Sequence, residues 1–321
     1  MSKELVLVTG ATGHLGFRTL VFTLQHGFKA RVALRKLEQA EKLKATASLK
    51  PYLNDIEFVH VPDITADGAY DEAIKGVDYV IHVASPIYSG FTSDMEPRVK
   101  RVIITPSVGV IEPKNGASRA GPNDIKAVPP QEMLDAPPFA AMAYVWSKVL
   151  SHVQSTEYVE KNNVHYDLIR VLPGYIQGAN ELYSSADEMR DPAVLGSNEG
   201  SMLVALGIKV NGPKPHEQVF LDDAAKAHVI ALKAEGVKNL DNLLLVGNGG
   251  DSTPWKDVVS VVEKLYPEEV KNGVLKPAMG DEDKGGDSDV ASSEKALGFK
   301  FAGPDVYVRS VVDQYLDFVG K

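Results

Sequence analysis

The most informative part of this sequence for the fold is Leu5-Val6-Leu7-Val8-Thr9-Gly10-Ala11-Thr12-Gly13-His14-Leu15-Gly16. Its first four residues are all apolar, which predicts a strand buried on both faces. Three glycines follow at every third position and open a predicted helix over 17–27. Glycine permits a tight turn and close approach to a pyrophosphate, and a helix N-terminus offers free N–H donors. The alternative is an ordinary glycine turn, but this context favours a dinucleotide-binding turn built from Gly10, Thr12, Gly13, His14, Leu15 and Gly16.

Strand and helix patterns alternate after this turn. Further strands are predicted at 29–34, 56–61, 77–83, 99–104, 165–171 and 242–246, and helices at 38–49, 70–75 and 142–161. The alternation predicts an α/β fold, a Rossmann-type doubly wound parallel sheet with a smaller, mostly C-terminal substrate lobe. We assign 1–178 with 216–248 to the dinucleotide-binding domain, and 179–215 with 249–321 to the lobe. Residues 112–138, rich in Pro, Gly, Asn and Ala, predict an irregular surface excursion.

Composition excludes several classes of protein. The 321 residues contain no cysteine, which rules out disulfides, thiolate zinc sites and cysteine nucleophiles. The net charge of -9 argues against nucleic acid and anionic membranes as partners. The eight histidines show no metal-binding spacing, so we expect no metal. Without a signal peptide or a spanning apolar run, we expect a cytoplasmic protein acting on a small molecule.

The end of the second strand indicates which dinucleotide binds. An NAD site usually carries an acidic residue there, which binds the ribose 2′-hydroxyl. This chain has Arg35 and Lys36 instead, and a guanidinium binds a 2′-phosphate with paired hydrogen bonds. The pattern therefore favours NADP(H). Lys42 is either a second cation for that phosphate or part of a solvated helix face. Glu38 is the alternative acid, but it lies past the strand end.

Two later strand ends extend the predicted cofactor site. Asp63 and Ile64 follow the third strand, where the adenine edge would lie, although Asp63 is equally suited to capping the next turn. The fourth strand ends in the small residues Val83, Ala84 and Ser85. Small side chains let a cofactor lie against the strand ends, where open α/β sheets bind their ligands.

The catalytic candidates are a tyrosine and a lysine four residues apart. Tyr144 and Lys148 share one face of a predicted helix. A nearby ammonium lowers the pKa of a phenol, which suits the pair to proton transfer with a carbonyl oxygen. Alone, such a pair is more often a plain surface feature; beside the dinucleotide turn it predicts an active site. Ser107 ends the fifth strand and would hydrogen-bond the substrate carbonyl, with Thr105 as the rival hydroxyl on the same side of an extended strand.

The order of these motifs over about 1–230 resembles the extended short-chain dehydrogenase/reductases. The most similar branch holds dihydroflavonol reductases, cinnamoyl-CoA reductases and the yeast and fungal aldehyde/ketone reductases. The resemblance rests on Val8 to Gly16, Arg35, Asp63-Ile64, His82 to Pro86, Thr105 to Ser107, Tyr144 with Lys148, Leu172 to Tyr175 and Leu221 to His228.

The resemblance implies NADPH-dependent reduction of an aldehyde or ketone. Tyr144 would be the proton donor, Lys148 would lower its pKa and bind the nicotinamide ribose, and Ser107 would polarise the carbonyl. Pro173, Gly174 and Ile176 would lie beside the nicotinamide. Tyr88, Phe91 and Tyr175 are candidates for the substrate pocket, with plain core packing as the alternative.

The chain departs from the family pattern in two places. Thr105-Pro106-Ser107 stands where the family usually has Thr-Ser-Ser, and only Pro86–Arg98 connect the fourth and fifth strands. The family has a longer, helical connection there, which often forms half of the dimer face, so both a monomer and a homodimer stay open. The rival functions are an NAD-retaining nucleotide-sugar epimerase or dehydratase and a non-enzymatic NADP-binding redox sensor. Arg35 and Lys36 argue against the first, and the Tyr/Lys pair argues against the second.

Overall fold

The computed structural model describes residues 3–84, 97–138, 140–190, 205–207, 216–278 and 285–321. A seven-stranded parallel sheet with flanking helices confirms the predicted Rossmann-type α/β class. Its strand order is β10-β7-β5-β4-β1-β2-β3. The strands of this sheet are β1 Leu5–Thr9, β2 Lys29–Leu34, β3 Ile56–His60, β4 Tyr79–His82, β5 Arg101–Ile104, β7 Asp167–Pro173 and β10 Asn242–Leu245.

The chain forms two compact units, the first made of 1–112, 122–172 and 225–243. In this unit, buried apolar side chains from neighbouring strands and from a helix form a continuous core against the sheet. Neighbouring strands supply Leu7, Val80, Val102 and Leu168, all buried, and helix α4 (Ala140–Asn162) adds Val159. Strands buried in this way need apolar residues on both faces, which is why short uninterrupted apolar runs locate them in the sequence. The other helices of the unit are α1 His14–Gln25, α2 Gln39–Ala45 and α3 Gln131–Asp135, with α6 (Leu221–Ile230) entering it from the second unit.

Two predicted helices are wrong in extent or type. The helix predicted at 38–49 is divided, because Thr46 is extended and a 3₁₀ helix, Ala47–Asp55, follows α2 with Pro51 inside it. Proline has no N–H for an α-helical hydrogen bond, so the tighter helix takes over around it. The segment predicted as a helix at 70–75 forms turns instead.

The excursion at 112–138 is largely irregular, as predicted. It contains the two-residue strand β6 (Arg119–Ala120), helix α3 and one antiparallel bridge between Ile111 and Ile125. Strand β6 pairs in parallel with β11, Asp287–Ser288, and both belong to the second unit.

The second unit comprises 113–121, 173–224 and 244–321. Its core joins Trp255 and Val258 of helix α7 (Trp255–Leu265) to Val308 and Val312 of helix α10 (Pro304–Phe318). A two-stranded parallel sheet pairs β8 with β9. The domain boundaries derived from the sequence stay a prediction. The remaining elements of this unit are β8 Tyr175–Gln177, α5 Ala186–Arg190, β9 Gln218–Phe220, α8 Pro267–Lys271 and α9 Ala291–Leu297.

Across the described ranges, every helix is too short or too polar to cross a bilayer.

Candidate active site

The glycine turn joins β1 to α1 in the first unit, and two of its glycines are required by the protein's own backbone. Gly10 has a φ of 78°, and a Cβ on it would lie 2.6 Å from the backbone nitrogen of Ala84. A Cβ on Gly16 would lie 2.1 Å from the carbonyl oxygen of Gly10. Both distances are far below van der Waals contact, so β1, β4 and α1 approach one another closely only because these side chains are missing.

At Gly13, by contrast, no contact within the described part of the protein requires a glycine. Gly13 is exposed, its φ is -103°, and a Cβ on it would meet nothing nearer than the Gly10 carbonyl oxygen at 3.5 Å. The space in front of Gly13 is therefore open, directly at the N-terminus of α1, where backbone N–H groups and the helix dipole favour an anion. This arrangement fits a pyrophosphate. Thr12 is exposed beside it, His14 is partly buried, and the Leu15 side chain is buried, so only the backbone of Leu15 remains for a ligand.

The predicted phosphate cations are all exposed: Arg35 and Lys36 follow β2 directly, and Lys42 lies on α2. In the part of the chain that the structure describes, none of Arg35, Lys36 and Lys42 forms an ion pair with a carboxylate. By contrast, Lys44 on the same helix as Lys42 is paired with Glu41 at 2.8 Å. Cations that no carboxylate neutralises remain available to a phosphate.

The other predicted cofactor residues differ in the contacts that they make within the protein. Asp63 Oδ1 accepts hydrogen bonds from the backbone N–H and the hydroxyl of Thr65, at 2.9 and 2.6 Å. These bonds lower the pKa of Asp63 and favour its role as a turn cap. Ile64 packs against the apolar core of the first unit. Val83 and Ala84 are partly buried after β4, with the Ala84 N–H donating to Thr9 Oγ1 at 3.2 Å. Ser85, Tyr88 and Phe91 lie outside the described residues.

Ser107, Tyr144 and Lys148 are brought together in the first unit. Tyr144 and Lys148 lie one turn apart on α4, with the Lys148 amine 5.7 Å from the centroid of the Tyr144 ring. Ser107 begins a short 3₁₀ turn, Val108–Val110, and its Oγ accepts the Gly109 N–H at 3.1 Å. The same hydroxyl lies near enough to Tyr144 to lower the pKa of its phenol. The three predicted catalytic side chains therefore form one cluster.

Burial sets the ionisation of this cluster. It raises the pKa of Tyr144, while the nearby Ser107 hydroxyl lowers it, and the net shift is upward even though 47% of the residue is exposed. Burial also lowers the pKa of Lys148 to about 8. The sequence predicted that Lys148 lowers the pKa of Tyr144. Removing both groups from water disfavours both charged forms, which accounts for the net shifts, and the effect of Lys148 on Tyr144 stays a prediction.

The two hydroxyls that follow β5 have different partners, and the choice of Ser107 over Thr105 stays a prediction. The Thr105 hydroxyl, which is partly buried, donates to the His82 carbonyl oxygen at 3.2 Å and lies 2.9 Å from Nε2 of the buried His228. The Ser107 hydroxyl instead accepts the Gly109 N–H at 3.1 Å and lies near Tyr144. The expectation that both share one side is wrong, since β5 ends at Ile104 and strand alternation does not apply beyond it.

Two residues that the sequence reasoning missed support Ser107. Gly109 donates its N–H to the Ser107 hydroxyl, and Lys126 Nζ donates to the Gly109 carbonyl oxygen at 2.9 Å. Lys126 belongs to the excursion and matches no motif, so only the fold reveals this contact.

The second unit holds the predicted residues Pro173, Gly174, Tyr175 and Ile176. A Cβ on Gly174 would lie 2.4 Å from the Glu217 carbonyl oxygen, so the close packing of this segment requires a glycine there. The Tyr175 ring packs edge-on against Trp255 with centroids 6.1 Å apart, which supports the core-packing alternative for Tyr175. Ile176 is buried and Pro173 ends β7.

A Rossmann-type sheet, a glycine turn at its first helix and a Ser/Tyr/Lys cluster define a nicotinamide-dependent oxidoreductase class of protein. Comparison with known proteins agrees. Residues 6–101 match the NAD dependent epimerase/dehydratase family. The chain is 32% identical to ketoreductase CTB6 of Cercospora beticola, over all of this chain and 97% of that protein. It is 26% identical to aldehyde reductase 2 of Sporidiobolus salmonicolor, with 82% of each chain covered.

The solved structure of the yeast methylglyoxal/isovaleraldehyde reductase Gre2, complexed with NADPH, has the same fold. It superposes with a TM-score of 0.75 at 22% identity, covering 98% of this chain and 99% of that one. The chain belongs to the NAD-dependent epimerase/dehydratase family, the extended short-chain dehydrogenase/reductases. The alignment with the Cercospora ketoreductase has 354 positions, more than the 321 residues of this chain. Part of the relative therefore has no counterpart in this chain. The sequence predicts that the missing residues belong to the connection between β4 and β5.

Proposed function

We propose that the protein reduces an aldehyde or ketone to the alcohol with NADPH, with Tyr144 as the proton donor. The observation that carries the proposal is the cluster of Ser107, Tyr144 and Lys148 in the unit that also carries the glycine turn. The relatives named as a ketoreductase and an aldehyde reductase support this reaction class.

Each residue of the cluster has a defined part in this reaction. When bound, the cofactor supplies the hydride for the carbonyl carbon. The Ser107 oxygen accepts the Gly109 N–H, which leaves its own proton for Tyr144 or for the substrate oxygen. The raised pKa of Tyr144 keeps the phenol protonated at neutral pH, as a proton donor in the reductive direction requires. Lys148, while charged, stabilises the phenolate that remains after the transfer.

The test is an assay of NADPH consumption against aldehydes, diketones and aromatic ketones. We expect consumption that depends on the carbonyl and yields the alcohol. NADPH binding without turnover on any carbonyl would contradict the proposal and support a redox sensor. NAD that stays bound through purification, with no net consumption of reduced cofactor, would contradict it in favour of an epimerase or dehydratase.

NADPH preference rests on Arg35 and Lys36. Arg35→Gln should raise the KM for NADPH by about tenfold or more, since one charge-assisted hydrogen-bonding group is lost. The KM for NADH should stay unchanged, because NADH carries no 2′-phosphate. Lys50→Gln is the matched control: Lys50 is also exposed, and it lies on the next helical segment, so the net charge changes equally. Equal losses with both cofactors would contradict the role of Arg35.

The reaction should weaken at alkaline pH. A lysine is charged below its pKa, and burial places that of Lys148 at about 8, so its charge is present below this pH and lost above it. The kcat/KM for the carbonyl should therefore fall as the pH rises through about 8, which a profile measured at saturating NADPH would show. Lys148→Arg keeps its charge throughout that range and should abolish the falling limb in whatever activity it retains. A wild-type profile that stays flat well above pH 8 would contradict the role of Lys148.

A further inference from the structure

A buried hydrogen-bond network lies behind the catalytic cluster. Its centre is Thr105, one residue past the end of β5. The Thr105 hydroxyl contacts the His82 carbonyl oxygen at 3.2 Å and His228 Nε2 at 2.9 Å. His228 lies on α6 and is fully buried. None of these groups has a part in the reaction as described above.

The number of protons available in this network determines which group donates and which accepts each hydrogen bond. A threonine hydroxyl has a single proton, and donating it to the His82 carbonyl leaves only acceptor capacity for His228. His228 therefore donates its Nε2–H to Thr105, a tautomer assigned from the network. The Thr105 side chain is then held from two sides, by β4 and by α6.

The backbone of Thr105 is what connects this network to catalysis. Lys148 Nζ donates to the Thr105 carbonyl oxygen at 3.0 Å. That carbonyl follows the last ladder residue of β5, Ile104, and precedes Pro106, which has no N–H to pair with a neighbouring strand. The position of the Lys148 acceptor therefore depends on the Thr105 side chain and its two partners.

We propose that His228, acting through Thr105, is a positioning residue that fixes the ammonium group of Lys148. The consequence for turnover rests on the proposed function, whereas the consequence for the Lys148 amine does not. If the network is broken, the Thr105 carbonyl moves, and the ammonium loses an acceptor that favours its charged form. The pKa of Lys148 then falls.

The other titratable groups that face Lys148 do not account for such a change. His82 has a pKa of about 3, from burial first and the charge of Lys148 second, so it stays neutral across the working range. Tyr144 also stays neutral at neutral pH, since burial raises the pKa of its phenol. A shift in Lys148 on changing His228 or Thr105 therefore reports the network itself.

The primary experiment measures the Lys148 amine without any turnover. The intact protein is labelled with acetic anhydride over a pH series, and the acetylation of Lys148 is followed by peptide mass spectrometry. We expect His228→Leu and Thr105→Val to lower the pH midpoint for labelling by about one unit, as for the loss of one hydrogen bond to a charged group. His228→Gln and Thr105→Ser keep the polar group at each position and should restore the wild-type midpoint.

The control is His152→Leu. His152 is another buried histidine, one turn from Lys148 on α4, and it hydrogen-bonds Asn242 at 3.0 Å. Its loss removes a comparable buried contact but leaves the Thr105 network intact, so the midpoint should not move. Thermal melting shows which variants are folded. If His228→Leu fails to fold, the nearly isosteric Thr105→Val provides the test. Unchanged midpoints in folded His228 or Thr105 variants, or an equal shift in His152→Leu, would overturn the proposal.

Turnover gives the second measurement. In His228→Leu and Thr105→Val, kcat should fall at least about tenfold, because a small misplacement of a catalytic group is costly. The alkaline limb of the pH profile should move to lower pH with the labelling midpoint, and the KM for the carbonyl should change little. A wild-type protein without turnover would contradict the proposed function but not the labelling result.

Discussion

Tyr144→Phe should lower kcat for carbonyl reduction by about 10²–10⁴-fold, the range that general acid catalysis contributes. The substitution removes the only proton that the Tyr144 side chain offers to a carbonyl oxygen. NADPH affinity, measured by fluorescence titration, should stay within about twofold, because the lost interaction belongs to the transition state.

Tyr158→Phe is the matched control for this prediction. Tyr158 lies on the same helix, and its buried hydroxyl has no hydrogen-bond partner among the described residues. The control deletes the same atom without removing a hydrogen bond, so kcat should be unchanged and stability should not fall. Near-wild-type turnover in Tyr144→Phe, or equal losses in both variants, would contradict the assignment of Tyr144.

Gly16→Ala should destabilise the fold by more than about 3 kcal/mol, at the upper end of what overpacking costs. The new methyl group would lie 2.1 Å from the Gly10 carbonyl oxygen, which is a backbone atom and cannot rotate away as the end of a side chain can. Urea denaturation followed by circular dichroism measures the loss.

Gly13→Ala separates cofactor binding from folding in the same turn. An alanine there meets no atom closer than 3.5 Å, and its φ of -103° suits any L-residue. Stability should therefore fall by less than about 1 kcal/mol, the cost of alanine at an N-cap. NADPH binding should weaken by at least about tenfold, because the methyl group occupies the space that fits the pyrophosphate. Similar stability losses in both variants, with unchanged NADPH binding in Gly13→Ala, would contradict the assignment of the turn.

The sequence predicted the sheet well and the short helices poorly. All seven strands lie within two residues of their predicted ends. The signal is clearest where a strand is buried on both faces and mostly apolar, as in β1 and β4. Helical periodicity is weaker evidence over a few residues. It extended one helix toward Pro51, where a 3₁₀ helix forms, and it assigned a helix to 70–75, where the chain makes turns.

The site was predictable where its residues lie in one motif or at a strand end. Tyr144 with Lys148, and Ser107, follow from spacing and position, and the structure brings all three together. Contacts between distant segments were not predictable, such as Lys126 with Gly109. The direction of the Tyr144 pKa shift was also out of reach, because it depends on burial, which a sequence pattern does not measure.

The most direct test of the account follows the hydrogen itself. The protein is incubated with a ketone and NADPH carrying deuterium at the transferable position of the nicotinamide, and the alcohol is analysed by mass spectrometry and NMR. We expect one deuterium on the carbinol carbon of the product, at a rate that Tyr144→Phe lowers by about 10²-fold or more. An alcohol without deuterium at that carbon, or no alcohol while NADPH is bound, would contradict NADPH-dependent carbonyl reduction.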